Sequence, residues 1–487
     1  MRRHSLAALL AGLAGCGSGC DGERLKPPEA PRAADSSDAQ PSSGSGTTMP
    51  GSPPGVLDAA PGTLDGLHTA LAAAERRDPS GRVVLSFFGD SHTASDSMTA
   101  RVRRQLQALF GDAGRGLVAA GRPPARHYYQ RDVRYGSSGK WKAAVGGVRD
   151  PEPFGIAGLR VYGERKGAQL WVETCADCQA GTSVAQFEIF FQAAPEHGIL
   201  RYRVDDTPWQ QVATKTAAIE PPHPARQVIV VPDGPHKLTI EHGGGGTLDL
   251  YGVALERKQP GVIVDSLGVV GRRLGSLRSW DWSIIGEQLA TRDPRLVVLQ
   301  YGTNEADDPD LDLEAFAGYY DETIQRIRAA APQASILILG PPDMGTREAG
   351  KSCDRPKKKK KKRDRDRDVP DEPEVIPPEC EWRTPGVLRE IIAVEHAAAL
   401  RNKVAFFDTF AAMGGADRMA GWVTTEPKLA YKDHVHFNDA GYQMWADALL
   451  TALLADHDRW RRAANLPPLA PAAPAAEPPG SPRTRAP

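Results

Sequence analysis

The chain has 487 residues, with 60 Lys and Arg against 61 Asp and Glu, a net charge of −1, 40% hydrophobic residues and 25% charged ones. That composition excludes a chain disordered throughout, and the charge balance excludes a generic nucleic-acid binder, which carries a large basic excess. No run of 18 or more apolar residues reads as a spanning helix, and the length suggests two or three folded units. At the start, Arg2, Arg3 and His4 precede a short apolar run over residues 6–14. This is the charged and apolar pattern of an export signal, assigned to residues 1–15 and too short to cross a bilayer. Residues 16–60 are rich in Pro, Ser, Gly and Ala and cannot bury enough apolar surface to offset the entropy of ordering. They read as a tether whose roughly 40 residues reach on the order of 35 Å.

Further along, residues 82–88 form a continuous apolar run ending at Gly89, the pattern of a strand buried on both faces. Residues 99–110 show helical periodicity, with Val102, Leu106 and Leu109 on one face. Seven short strand-like runs between residues 142 and 257, broken by Gly, Pro and Asp, predict an inserted β-sandwich. Alternation then resumes. Strands are expected at 261–265, 296–301, 335–339 and 404–407, and helices at 284–289, 313–330, 387–402 and 441–454. The expected fold is a three-layer α/β/α, flavodoxin-like parallel sheet, built from residues 61–141 and 258–465 around the insert. A Pro- and Ala-rich tail follows at 466–487.

Export makes oxidised cysteines the expectation. Cys353 and Cys380 flank a Lys-rich insert, 353–380, in which six lysines (357–362) precede alternating Arg and Asp. A disulfide closing it is worth roughly 3–4 kcal/mol in the chain-entropy model. The lysine run is read as a solvated insertion with no catalytic role, its field largely cancelled by the Arg-Asp repeat. Cys175 and Cys178 form a lone CxxC, which favours a local disulfide over zinc. No His/Cys cluster has metal-ligand spacing, and no cofactor is expected.

Four motifs fall at strand ends, where open α/β sheets bind ligands. Gly89-Asp90-Ser91-His92-Thr93 combines a nucleophile candidate with ordinary N-capping residues. In Asp433-His434-Val435-His436, a carboxylate three residues before a histidine can accept from Nδ1 and leave Nε2 free as a base. Asn304, in Gly302-Thr303-Asn304, can donate to a developing oxyanion or simply help turn the chain. Gly268-Val269-Val270-Gly271 allows close backbone approach to a ligand but lacks a dinucleotide-site spacing.

Taken together and in this order, the four blocks resemble the SGNH (GDSL-type) hydrolase family. The resemblance implies a catalytic triad of Ser91, Asp433 and His436, and an oxyanion hole from Ser91, Gly271 and the Asn304 amide. Gly268 competes with Gly271, and His434 with His436. His92 stands where the eponymous motif has Leu. The octapeptide from Gly89 to Asp96 and the β insert between the Ser and Gly blocks resemble the peptidoglycan O-acetylesterases of this superfamily. This implies a serine esterase acting through an acetyl-serine, with an O-acetylated envelope glycan as partner. The same residues also suit an O-acetyltransferase or another carbohydrate or lipid esterase, and a non-catalytic envelope-binding lipoprotein is the alternative of a different class. Trp141, Trp171 and Trp209 either offer a sugar-stacking face or, as the heavier expectation, fill the sandwich core. At the N-terminus, Leu13-Ala14-Gly15-Cys16 resembles the lipobox of bacterial lipoproteins, implying lipidation of Cys16 and a membrane anchor; a plain signal-peptide cut near 15–17 is the alternative. Gly17 rather than Asp after that Cys points to the outer membrane.

Overall fold

The computed structural model describes residues 56–121, 128–147, 153–347, 353 and 378–469. Cys16, the signal segment, the lysine run and the tail beyond 469 lie outside the described residues. In chain order the elements are β1 (Leu57–Asp58), α1 (Asp65–Glu75), β2 (Arg82–Gly89), α2 (Ser91–Ala94) and α3 (Ser97–Phe110). Then come β3 (Gly114–Val118), β4 (Arg134–Ser138), β5 (Lys142–Val145), β6 (Leu159–Gly163), β7 (Gln169–Glu173) and β8 (Val184–Ala193). They continue as β9 (Ile199–Val204), β10 (Gln210–Ala213), β11 (His223–Gly234), β12 (Lys237–Gly244) and β13 (Leu248–Glu256). The last part holds β14 (Gly261–Gly268), α4 (Trp282–Arg292), β15 (Pro294–Gln300), α5 (Leu313–Ala330), β16 (Ser335–Leu339) and α6 (Gly386–Asn402). It closes with β17 (Ala405–Phe407), α7 (Thr409–Met413), α8 (Arg418–Thr424) and α9 (Asp439–Ala463).

The main sheet runs β1-β17-β16-β15-β2-β14, with every pair parallel except the short antiparallel edge of β1 on β17. Its five parallel strands follow the flavodoxin-like order 2-1-3-4-5, which places the topological switch point between β2 and β15. Side chains alternate across each strand, and both faces are covered, which is why the strands read as unbroken apolar runs. Val83, Leu85 and Phe87 face α1, α3 and α9 through Leu67, Val102, Leu106 and Trp445. Phe88, Val297, Leu299 and Ile338 face α4, α5 and α6 through Ile285, Tyr320 and Ile391. Among the described residues no helix is long and apolar enough to cross a membrane.

Between β2 and β14 the chain builds a two-sheet antiparallel sandwich. One sheet runs β10-β9-β12-β7-β4; the other runs β11-β8-β13-β6-β5, with β3 also paired to β13. Leu170, Val172, Phe187, Ile189, Leu238 and Ile240 fill the space between them. The sandwich therefore begins at Gly114 rather than at 142. Its extra strands, Gly-Arg-Gly-Leu-Val and Arg-Tyr-Gly-Ser-Ser, have little strand propensity of their own and exist because β13 and β7 offer them edges. The tether is shorter than the expected 16–60, because Leu57 and Asp58 pair with Phe407 and Phe406 as an edge strand. Only Trp141 of the three tryptophans packs against the sandwich core. Trp171, alternating with the buried Leu170 and Val172, lies on the outward face of its sheet with the Lys237 ammonium 4.4 Å from its ring centre. Trp209 is covered by Arg201 and Arg203, at 4.9 and 4.8 Å. Core filling thus accounts for one tryptophan and not for the other two.

The sandwich is fused to the parallel sheet. Phe190 and Tyr251 share a core with Phe88 and Leu299. Arg292, fully buried, is held by Asp265 and by Glu256 at the end of β13, and Asp265 also accepts from Leu117 N–H at 2.7 Å. A second buried set links α3 to the loop after β3: Asp96 takes Arg103 and Arg115 at 2.8 and 2.7 Å, and Asp132 takes Arg103 at 2.9 Å. Both disulfides are formed, Cys175–Cys178 and Cys353–Cys380.

Candidate active site

Three adjacent strands, β14, β2 and β15, end side by side, and each delivers one of the predicted blocks. At the end of β2, a Cβ on Gly89 would lie 2.3 Å from Thr93 Oγ1 and 2.8 Å from the Gln300 carbonyl, so the chain can pass there only as glycine. Asp90 then caps α2, accepting from His92 N–H at 2.8 Å. Ser91 follows as the first helical residue, 8% exposed.

The base arrives from the turn before α9. One Asp433 oxygen accepts from the backbone N–H groups of Val435 and His436, both at 3.0 Å. Its other oxygen accepts from His436 Nδ1 at 2.8 Å, and Ser91 Oγ lies 2.8 Å from His436 Nε2. The turn carries His434 at a left-handed φ of 58°, where its ring stacks on Trp382 at 3.8 Å between ring centres. Gly345 N–H donates to the His434 carbonyl at 2.7 Å. It is therefore His436, not His434, that the structure brings to Ser91. Beneath the pair, His92 sits in an aromatic nest of Phe437, Tyr442 and Trp445, its Nδ1 3.0 Å from Tyr442 Oη.

The electrostatics follow from this wiring. Burial pushes the Asp433 carboxyl up, but the hydrogen bonds from the His436 ring and from two backbone groups overcome it and hold the pKa at about 2. Burial also opposes charge on His436, yet the Asp433 carboxylate wins and raises its pKa above the ordinary value. His92, buried and next to His436, is held neutral by a pKa well below the ordinary one. Burial pushes Asp90 up to about 6, and its carboxylate serves as the cap of α2.

The ends of β14 and β15 carry the two glycines and Asn304. A Cβ on Gly268 would fall 2.2 Å from Ala94 N, so this glycine lets β14 pack against α2. Gly271 has a φ of 70° and open space around it. The Asn304 side-chain amide donates to the Arg272 carbonyl at 3.0 Å, which ties the third block to the second and leaves its other N–H for a ligand. Glu305 braces both loops. Fully buried, it accepts from Leu274 N–H at 2.7 Å and Gly302 N–H at 2.9 Å, while burial lifts its pKa to about 7. Tyr128 Oη adds a bond from Val270 N–H at 3.1 Å. One group of potential metal ligands occurs among the described residues, Cys175, Asp177 and Cys178, and its sulfurs are joined in the disulfide.

The profile of the GDSL-like Lipase/Acylhydrolase family matches residues 236–444, which include Gly271, Asn304, Asp433 and His436 and start after Ser91. A solved structure of a peptidoglycan O-acetylesterase superposes with a TM-score of 0.65 at 22% identity, covering 83% of this chain and 99% of that one. The fold is that of the SGNH-type hydrolases. Two carbohydrate esterases match less of the chain. An acetyl xylan esterase is 17% identical over 39% of this chain and 80% of its own, with a TM-score of 0.26. A family two carbohydrate esterase from Clostridium thermocellum is 12% identical over 66% of this chain and 98% of its own, also at 0.26. No curated protein sequence matches this chain.

Several residues at the site escape sequence reasoning. Glu305 had one usable signal, a carboxylate directly after the Asn block at a buried strand end. Tyr128 and Trp382 had none, because each reaches the site from a loop whose path depends on tertiary packing.

Proposed function

We propose that this protein is a serine esterase that removes O-acetyl groups from a cell-envelope carbohydrate, with peptidoglycan the favoured substrate, through an acetyl-serine intermediate. The observation that carries the reading is the unbroken chain Ser91 Oγ–His436–Asp433 at 2.8 Å for each link. His436 Nε2 takes the Ser91 proton as Oγ attacks the acetyl carbonyl, and Asp433 stabilises the imidazolium. Ser91 N–H, Gly271 N–H and the free Asn304 N–H receive the oxyanion. The imidazolium then protonates the departing sugar oxygen. A water deprotonated by the same ring attacks the acetyl-serine and releases acetate. The likeness to a peptidoglycan O-acetylesterase supports the choice of glycan.

An exported, lipid-anchored protein acylated at Cys16 fits this substrate, and the two disulfides suit an oxidising compartment. The test is acetate release from O-acetylated peptidoglycan. Wild type is expected to release acetate, and Ser91→Ala to lose on the order of 10³-fold or more of the rate. Equal release by the two proteins would end the proposal.

A further inference from the structure

Aromatic side chains are costly to leave in water, and this protein leaves few. Among the described residues seven large apolar or aromatic side chains are exposed, and the only aromatic ones are Tyr129 and Tyr431, each 55% exposed. Both are built onto the segments that hold the Ser91–His436 pair. Tyr129 N–H donates to the carbonyl of Ala94, the last residue of the short helix that Ser91 begins. Tyr431 N–H donates to the carbonyl of His436 itself, and the Tyr431 carbonyl accepts from His434 N–H. The Tyr431 phenol lies near enough to Tyr129, Arg131, Asp433 and Asp439 to feel their charges. Arg131 is fixed between Ser97 Oγ at 2.8 Å and Asp439 at 2.7 Å, so these two charges offset one another and the Asp433 carboxylate leaves no net positive charge beside the two phenols.

We propose that Tyr129 and Tyr431 form a stacking lip that binds a neutral pyranose ring of the glycan next to the acetylated sugar. This rests on the esterase reading and adds the subsite that holds the chain. An aromatic face accepts the C–H face of a sugar, and the phenol tip reaches hydroxyl or acetamido groups. The Arg131–Asp439 pairing favours an uncharged ring over an acidic peptide stem. Trp171 and Trp209 are poorer candidates, because Lys237 lies over one ring and Arg201 and Arg203 over the other. Binding energy gained on such a remote ring is available to orient the ester beside Ser91.

The test is competition by chitohexaose against hydrolysis of p-nitrophenyl acetate, an ester with no sugar to stack. The inhibition constant should rise roughly five- to tenfold in Tyr129→Ala and in Tyr431→Ala, and stay within about twofold of wild type in the Phe variants, which keep the ring. Thermal melts of the same variants separate lost binding from lost fold. An unchanged inhibition constant in both Ala variants, or no inhibition of wild type by chitohexaose, would overturn the lip. Failure of wild type to release acetate from peptidoglycan would instead remove the proposed substrate and leave this competition result standing.

Discussion

Replacing Asp433 by asparagine probes the site where it is most constrained. One carboxylate oxygen serves two backbone N–H groups at 3.0 Å, and the other serves His436 Nδ1 at 2.8 Å. An asparagine satisfies both backbone donors only by turning its carbonyl oxygen toward them, which presents its NH₂ to Nδ1. The ring must then carry its proton on Nε2, facing Ser91 Oγ, and it cannot accept the hydroxyl proton. Flipping the amide restores the productive tautomer but gives up two hydrogen bonds of about 1 kcal/mol each, which leaves roughly 3% of molecules competent. The imidazolium also loses its counter-charge. Together these predict a fall in kcat of about 10³–10⁴. The assay is steady-state hydrolysis of p-nitrophenyl acetate by folded Asp433→Asn protein. If more than about a tenth of the wild-type kcat survived, the tautomer argument would be wrong.

Because the base must be neutral and its pKa is raised by Asp433, kcat/KM for p-nitrophenyl acetate should fall on acidification with an apparent pKa above the ordinary 6.5; a limb centred below that value contradicts the wiring. The hydrogen bonds to Asp433 lower its pKa from 3.8 to about 2, so the stability they contribute is present above pH 3.8 and lost as pH falls through about 2. Acid melts of wild type and Asp433→Asn should converge over that window. Gly268→Ala forces backbone apart and is expected to cost about 2–4 kcal/mol, whereas Gly271→Ala meets only the strain of its φ, about 1 kcal/mol. Thermal melts giving the opposite order would refute that assignment of roles. Glu305→Gln keeps one of two accepting oxygens and turns an NH₂ toward the other N–H; kcat should drop about 5–30-fold with KM nearly unchanged, as expected for losing one buried hydrogen bond that holds the oxyanion loops.

Much of this architecture was readable because its physical causes are local. Val83 to Phe88 and Leu296 to Leu299 are strands covered on both faces, so their apolar runs announce themselves. The approach of Ser91 to His436 was readable only as four blocks in a recognised order, since nothing local links side chains so far apart. What sequence could not show is conditional on partners. β3 and β4 are strands because a neighbour offers an edge, and β1 because β17 ends the sheet. Core filling was the heavier of two expectations for Trp171 and Trp209, but strand alternation puts the first outside, and two arginines cover the second. Glu305 looks like a surface acid until both loops fold over it.

The pairing of β3 with β13 bears on the order in which the molecule assembles. β2 and β14 are neighbours in space, yet the whole sandwich lies between Gly89 and Gly261. Closing so long a loop from an extended chain is slow, since non-local contacts reward the chain only after the entropy of closure has been met. Once β3 lies beside β13, residues 114 and 256 are held together, and the loop left to close shrinks to residues 90–113 and 257–260. The sandwich is then a splint that must set first, with the β2–β14 zipper and the serine at its tip taking their places afterwards. Pulsed hydrogen exchange should find β8 and β13 amides protected ahead of those in β2 and β14, and the reverse sequence would show that the parallel sheet can form without its splint.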